Sequence, residues 1–297
     1  MESYLAQQRA NRRKAWQRLM LTVLLCVAAG VPLGVWALRR FETAVVFHPE
    51  RYVEGEAWRL PAGGEEVWFE AADGTRLHGW FVRARGVAPS ATLIFFHGNG
   101  GNLNGLGWFG EAWAARGFDV LLFDYRGYGR SHGAATGERE LYMDADAAYD
   151  YIVGRRGVAP QSVVLYGQSL GTAAATDVAS RRPCAAVILE SGLSSADDMA
   201  ALVLPGVPAF VRRLARNRFE STRKLAEVKC PVLVAHGERD ETIPAEQGRK
   251  LYAAAREPKQ LIILPTAGHN DMVAAGGEAY LSRLEAFVRR SLEAGAR

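Results

Sequence analysis

The chain alternates between short, continuous apolar runs and longer segments with helical periodicity. The apolar runs are rich in β-branched and aromatic residues, which favours strands buried on both faces. They lie at residues 92–96, 118–123, 163–166, 185–189, 231–235 and 260–264, and two further predicted strands, 66–71 and 77–84, include polar residues. Segments with helical character lie at 104–116, 138–153, 172–180, 246–255 and 277–292. This alternation predicts an α/β fold with a mainly parallel eight-stranded sheet, helices on both faces, and an antiparallel hairpin at Asp73-Gly74.

One stretch, residues 192–227, interrupts the alternation. It mixes apolar side chains with several arginines and contains no buried-strand run. Because it follows one predicted strand and precedes the next, we expect it to form a small helical cap over the carboxyl ends of the strands.

The N-terminal region has a different pattern from the rest of the chain. Residues 19–38 form twenty positions without a charge, the length that a helix needs to cross a bilayer. We therefore predict a basic tail at 1–18, a transmembrane anchor at 19–38, a linker or lead-in at 39–65, and one large domain at 66–297.

Two alternatives to an anchor remain open, a cleaved signal peptide and a buried helix of a soluble protein. The apolar core is long and runs into Arg39-Arg40 without a convincing cleavage site, which favours an uncleaved anchor. Five basic residues precede the span and two follow it closely. This excess predicts a single-pass membrane protein with a cytoplasmic N-terminus and its large domain on the non-cytoplasmic side.

Composition narrows the function classes further. Of 297 residues, 49% are hydrophobic and 23% charged, as in a globular protein with a real core. The net charge of +4 comes largely from the N-terminal tail, so we expect no nucleic-acid partner. The three cysteines form no C-x-x-C pair, and we expect neither a metal nor a cofactor.

The strongest chemical signal is a G-x-S-x-G motif at Gly167 to Gly171. An apolar run precedes it and small, helix-compatible residues follow it, so the chain reads as strand, sharp turn and helix. Such a turn forces Ser169 into a strained conformation and exposes its hydroxyl group, while the two glycines leave room for the crowded backbone. The amide of Leu170, at the start of the helix, faces any negative charge that develops there.

A nucleophilic serine needs a base, and the base needs an acid to orient it. In sheets of this type, functional residues collect at the carboxyl ends of the strands. The polar residues at the predicted strand exits are His97, Asp124, Ser169, Glu190, Asp240 and His269. The chain order Ser169, Asp240, His269 gives a candidate triad, although Glu238 and Glu241 are rivals of Asp240.

Several motifs together resemble the α/β-hydrolase superfamily, and specifically its BEM46-like branch. They are HGNGGN, DYRGYGRS, GQSLG, HGERDETIP and GHND, with FHPERY as the lead-in. The resemblance covers residues from about 66 to the C-terminus. It implies that Ser169 is the nucleophile, His269 the base and Asp240 the orienting acid.

The resemblance also implies an oxyanion hole formed by the backbone amides of Asn99 and Leu170. Reasoning from the residues supports the same two amides, since one follows the nucleophile and the other lies at the exit of the neighbouring strand. We expect His97 to hold this loop by hydrogen bonds rather than act as a base. Asp124 and Arg126 are expected to form a structural turn beside the site.

These residues predict a serine hydrolase that cleaves carboxylic esters or thioesters through an acyl-enzyme, without a cofactor. We expect the 192–227 insertion to cover a pocket for an apolar acyl group, with arginines that are solvated or contact an anionic head group. A membrane anchor at 19–38 makes lipid or acyl-protein substrates plausible. The alternatives are a serine peptidase of the same fold and a non-catalytic binding protein on this scaffold.

Cys184 and Cys230 occupy matching positions in consecutive predicted strands. Each lies six residues before its strand-exit residue, Glu190 or His236. If the two strands are parallel neighbours, the thiols lie side by side at the edge opposite the catalytic residues. A disulfide and two separate thiols are then both open.

Overall fold

The computed structural model describes residues 1–86 and 88–295, and divides the chain into an N-terminal unit, 1–45, and a second unit that begins at residue 46. The N-terminal unit is a single helix, α1 (Glu2–Val46), whose last residue belongs to the second unit. All its side chains from residue 11 to 41 are exposed. Its most apolar 18-residue window has a mean hydropathy of 2.2, enough to cross a membrane by length and composition. The helix extends beyond the predicted 19–38 on both sides.

The second unit contains ten strands within the described residues. They are β1 (His48–Pro49), β2 (Gly64–Glu70), β3 (Arg76–Val82), β4 (Thr92–Phe96), β5 (Gly100–Gly101), β6 (Asp119–Phe123), β7 (Val163–Gln168), β8 (Ala186–Glu190), β9 (Val232–Gly237) and β10 (Lys259–Leu264).

Helices connect these strands. They are α2 (Gly107–Ala114), α3 (Glu138–Asp150), α4 (Gly171–Arg181), α5 (Ala196–Val203), α6 (Ala209–Arg212), α7 (Ser221–Leu225), α8 (Ala245–Ala254) and α9 (Met272–Gly295), with short 3₁₀ turns at Leu103–Gly105 and Pro160–Ser162. A π-helical turn, Tyr151–Arg155, extends α3, and α9 is kinked at Gly277.

The main sheet has eight strands in the order β10-β9-β8-β7-β4-β6-β3-β2. Every neighbouring pair from β10 to β6 is parallel, whereas β3 is antiparallel to both β2 and β6. The predicted mixed, mainly parallel sheet is thus confirmed. The crossover helices return the chain so that β4, β7, β8, β9 and β10 all end at one edge.

Helices cover both faces because alternate side chains of each buried strand point to opposite sides. On one face, Phe96 and its neighbours pack with α3, α4 and α8. On the other, Phe95 packs with aromatic residues of α2 and α9, including Trp113 and Tyr280. Strands buried on both sides must be apolar throughout, which explains the continuous runs in the sequence.

The lead-in differs from the predicted linker. The second unit begins at residue 46, not 66, and Phe47 is buried in its core. Beyond it, β1 pairs in parallel with β5, and Arg51 forms a bridge with Gly129. Two-residue strands have no periodicity, so the sequence could not reveal this contact.

The predicted neighbourhood of the two strand-leading cysteines is confirmed. β8 and β9 are parallel neighbours, with Val187 opposite Val232. The Sγ atoms of Cys184 and Cys230 lie 3.0 Å apart as free thiols.

Candidate active site

Ser169 lies on the sharp turn between β7 and α4, near the centre of the sheet. Its φ angle is +52°, in the left-handed region that L residues rarely adopt. A Cβ atom at Gly167 would lie 2.5 Å from the Gly171 carbonyl oxygen, and one at Gly171 would lie 1.9 Å from that of Phe96. Both glycines are therefore required by space, and the turn holds the serine in a strained conformation.

The three residues of the candidate triad form one hydrogen-bonded series. His269, in the loop after β10, places Nε2 2.9 Å from the Oγ atom of Ser169. Its Nδ1 lies 2.7 Å from Oδ2 of Asp240, in the loop after β9. The carboxylate accepts from Nδ1, which leaves Nε2 free to accept the serine proton.

Asp240 is buried and accepts hydrogen bonds on both carboxylate oxygens. The amides of Thr242 and Ile243 donate to Oδ1, whereas Oδ2 faces His269 and, at 3.2 Å, Nε2 of His236. Burial alone would raise the pKa of Asp240, but the hydrogen bonds from His236, His269 and Ile243 outweigh it and hold the pKa well below its ordinary value. The carboxylate therefore stays ionised.

The two alternative candidates for the orienting acid, Glu238 and Glu241, form no hydrogen bond or ion pair with His269 within the described residues. Glu238 forms an exposed ion pair with Arg249, at 2.7 Å. Glu241 is also exposed. His236 was not singled out as a functional residue from the sequence, and its contact with Asp240 exists only because the loop folds back over β9.

The loop after β4 lies directly against Ser169. A Cβ atom at Gly98 would approach the Cβ of Ser169 to 3.4 Å. The buried His97 donates from Nδ1 to the Gly98 carbonyl oxygen at 2.8 Å. Burial lowers the pKa of His97 to about 4, so the ring is neutral at pH 7, which fits the predicted holding role rather than that of a base.

The amides of Asn99 and Leu170 are available as donors. Within residues 1–86 and 88–295, neither amide donates a hydrogen bond to another protein group. The Asn99 carbonyl oxygen, in contrast, accepts from the His48 amide at 2.9 Å and from the Tyr128 hydroxyl at 2.8 Å. The lead-in strand β1 thus holds the loop that carries one of the two predicted oxyanion donors.

The turn after β6 has the structural character expected from the sequence. Asp124 is fully buried, and its Oδ1 accepts from the Leu103 amide at 3.0 Å. Arg126 binds Asp144 through Nε and Nη2, and also pairs with Asp73 at 2.7 Å. These contacts tie the turn to α3 and to the β2–β3 hairpin.

A buried carboxylate network next to Ser169 could not be predicted from the sequence. Glu190, at the end of β8, accepts from the hydroxyls of Tyr166 and Tyr280 at 2.6 and 2.5 Å. Its other oxygen accepts from the Gln168 side chain at 3.0 Å, and its carbonyl oxygen accepts from the Ser169 amide at 2.9 Å. The strand-exit position of Glu190 was the only signal in the sequence.

The cavity at Ser169 differs from the expected apolar pocket. It measures about 480 Å³, and its walls come from the loop of residues 97–106 together with Glu50, Glu56, Gln168 and Thr242. No residue of the 192–227 insertion lines it. Amide and carboxylate side chains dominate these walls because the lead-in, not the cap, closes this side of the site. Among the described residues, no group of three or more His, Cys, Asp or Glu side chains is placed to hold a metal ion.

Comparison with known proteins identifies the family of this chain. Residues 87–223 match the family described as serine aminopeptidase, S33. The chain is 38% identical to the mouse alpha/beta hydrolase domain-containing protein 17C, over 76% of this chain and 68% of that protein. The chain belongs to the α/β-hydrolase superfamily. This confirms the resemblance seen in the sequence motifs.

Two further likenesses extend over most of this α/β-hydrolase. An uncharacterized protein of Mycobacterium tuberculosis is 32% identical over 93% of this chain and 96% of its own length. The Pyrococcus furiosus esterase Pf2001 aligns with 82% of this chain and 99% of its own, at a TM-score of 0.65 and 20% identity. The esterase shares the fold.

Proposed function

We propose that this hydrolase cleaves carboxylic esters or thioesters, with Ser169 as nucleophile, His269 as base and Asp240 as orienting acid. The observation that carries the proposal is the hydrogen-bonded series from Ser169 Oγ to His269 and Asp240, at 2.9 and 2.7 Å. It starts at a serine strained onto a turn at the end of a central strand.

The reaction proceeds in two acyl-transfer steps. His269 takes the proton of Ser169 as Oγ attacks the carbonyl carbon, and the amides of Asn99 and Leu170 donate to the oxyanion. The leaving alcohol or thiol receives that proton from His269. Water then attacks the acyl-enzyme by the same route and releases the carboxylic acid.

The proposal includes the membrane. Helix α1 anchors the protein, with its basic N-terminal segment in the cytoplasm and the hydrolase on the other side. Its exposed apolar surface supports this part of the proposal. Acyl chains held in a membrane, in lipids or in acylated proteins, are then the substrates closest to the enzyme.

Fluorophosphonate labelling of the full-length chain tests the nucleophile. We expect labelling of the wild type, its loss in Ser169→Ala, and its retention in the control Ser191→Ala, which removes a buried hydroxyl at the end of the neighbouring strand. A folded wild type that resists labelling would favour a non-catalytic binding protein.

A peptidase is the second candidate, because the matching family is described as a serine aminopeptidase. Esters, thioesters and amides with the same acyl group separate the two possibilities. The proposal requires turnover of the ester or thioester, dependent on Ser169, to exceed that of the amide. A preference for peptide amides would replace it.

A further inference from the structure

The exposed apolar side chains of the hydrolase unit are concentrated on the cap. Among its described residues, nine large hydrophobic side chains are exposed, and six of them lie between residues 202 and 214. These six define what we call the cap patch: Leu202, Val203, Leu204, Phe210, Val211 and Leu214. Phe210 retains 72% of its surface. Clusters of this kind on soluble domains mark interaction sites.

Hydrogen bonds hold the backbone that presents this patch. The Leu204 amide donates to Ala200 at the end of α5, and the Val207 amide donates back to Leu204. Arg212, in α6, connects this helix to α5 and to the turn between them. Its guanidinium contacts the carboxylate of Asp197 at 3.0 Å and the carbonyl of Val207 at 2.7 Å. The apolar side chains therefore project from a turn whose backbone is held in place by hydrogen bonds.

Exposed arginines accompany the patch. The segment 202–218 contains four arginines and no carboxylate, and two of them, Arg212 and Arg216, pair with carboxylates outside the segment. The other two, Arg213 and Arg218, are exposed and line a cavity of about 300 Å³ whose walls also include two carboxylates. An apolar surface next to two exposed arginines matches the boundary between acyl chains and anionic head groups of a bilayer. Two identical patches facing each other would instead bring arginines together, which disfavours a second copy of the chain.

The cap begins at the edge of the sheet where the parallel strands end and where Ser169 lies. We call this edge the catalytic edge. It follows β8 directly, and the carbonyl oxygen of Glu190, the last residue of β8, accepts from the Ser169 amide at 2.9 Å. A surface that binds to the cap therefore lies on the side of the sheet where the strands end at Ser169.

We propose that the cap patch inserts into the interface of a bilayer that contains anionic phospholipids. The apolar side chains enter the acyl boundary, and the arginines contact lipid phosphates. This contact is separate from the helix α1, and it holds the catalytic edge at the membrane surface. It does not depend on hydrolysis, so Ser169→Ala retains it even if the proposed activity is wrong.

Tryptophan quenching in vesicles tests the proposal on the full-length chain. Phe210→Trp places an indole in the patch, and Val53→Trp places one at a site of similar exposure outside it, since Val53 retains 67% of its surface. Each protein is reconstituted in vesicles of phosphatidylcholine and phosphatidylglycerol with and without brominated acyl chains. The emission of the wild type, with seven native tryptophans, is subtracted.

We expect brominated chains to quench about half or more of the emission added by Phe210→Trp, and little of that added by Val53→Trp. Arg213→Gln combined with Arg218→Gln should reduce the quenching in phosphatidylglycerol vesicles to its level in phosphatidylcholine alone. Equal quenching at both sites would overturn insertion of the patch. If the emission added by Phe210→Trp is blue-shifted but unquenched, and the protein has a dimeric mass in detergent, a second copy of the chain covers the patch instead of the bilayer.

Discussion

At the scale of single residues, one hydrogen bond orients the backbone amide of Asn99, one of the two proposed oxyanion donors. The carbonyl of Gly98 and the amide of Asn99 belong to one trans peptide group, so they point in opposite directions. When Nδ1 of His97 holds the Gly98 oxygen at 2.8 Å, it also fixes the direction of the Asn99 amide. His97 is thus a positioning residue that acts through the backbone.

Substitution of His97 should separate this role from simple packing. His97→Leu removes the donor, and we expect kcat to fall about 10- to 100-fold, less than the loss of a whole oxyanion donor. His97→Asn keeps a donor near the position of Nδ1 and should retain most of the activity. Steady-state kinetics with a short ester will show whether KM stays nearly constant. Equal losses in both variants would contradict the positioning role.

The same histidine makes stability depend on pH. Its pKa is about 4 in the folded protein, against an ordinary 6.5, because burial disfavours the charged ring. Between these values the unfolded chain binds a proton that the folded chain does not, so stability falls as pH falls from 6.5 to 4. The loss attributable to His97 is roughly 3 kcal/mol at most.

Urea unfolding in mild detergent at pH 7 and pH 4.5 measures this effect. Asp144 titrates in the same window with the opposite sign, since burial raises its pKa to about 6, against its bonds from Arg126. The comparison is therefore between wild type and His97→Asn. The variant should lose less stability on acidification, and an identical pH dependence would rule out the proton linkage.

At the scale of elements, the two-residue strand β1 connects the lead-in to the loop after β4, which carries Asn99. Its His48 amide donates to the Asn99 carbonyl oxygen, and its backbone pairs with Gly100 and Gly101. His48→Pro deletes that amide, and we expect kcat to fall several-fold with a stability loss of about 1 kcal/mol. The control His48→Ala keeps the amide, although both variants lose the imidazole contact with Asn99. Kinetics that do not distinguish the two variants would show that β1 does not position the loop.

The paired cysteines are a second feature of neighbouring elements. With diamide as the hydrogen acceptor, we expect Cys184 and Cys230 to form a disulfide, which intact-mass measurement detects as the loss of two hydrogen atoms. The hydrogen bond from Cys230, together with burial, raises the pKa of Cys184 well above its ordinary value, so oxidation should be faster at pH 9 than at pH 7.

The oxidised protein should gain at most about 4 kcal/mol in its free energy of unfolding, from closure of the intervening loop. Labelling of Ser169 should not change, because the thiols lie at the opposite edge of the sheet. Cys184→Ser is the control, and an unchanged mass in the wild type would show that the thiols do not react.

At the scale of the whole molecule, the proposal that α1 anchors the hydrolase in a membrane can be tested directly. We expect the full chain to remain in the membrane pellet after carbonate extraction and to retain its N-terminal residues. Leu24→Arg with Val31→Arg should prevent this, since each arginine near the centre of a span costs about 2.5 to 3.5 kcal/mol. Leu5→Arg, outside the apolar window, is the control. A mature chain that begins after residue 38 would identify a cleaved signal instead.

Much of this architecture could be predicted because it is local in the sequence. The run 163–166 and the G-x-S-x-G motif predicted strand, turn and helix around Ser169, and the structure has β7, the strained turn and α4 there. Strand exits gave Asp240 and His269 as partners because parallel strands must end at one edge. The limits of individual elements differed by a few residues, as at α9, since helix ends depend on caps and packing.

Other features depend on contacts between distant residues. His48 and Asn99 are 51 positions apart, and nothing in either local pattern predicts their pairing. The hydrogen bond between Tyr280 and Glu190 spans 90 positions and likewise requires the folded sheet.

By itself, the sequence determined the fold class, the apolar N-terminal helix and the order of the candidate triad, because periodicity and turn chemistry act over a few residues. The tertiary structure alone decided which groups meet: His97 with Gly98 beside Ser169, His236 with Asp240, and β1 with the loop after β4. It also decided that the apolar side chains of the cap lie on the surface and that polar groups line the cavity. Amphipathic patterns show that a segment has an apolar side, but only packing determines whether that side faces the core or the surroundings.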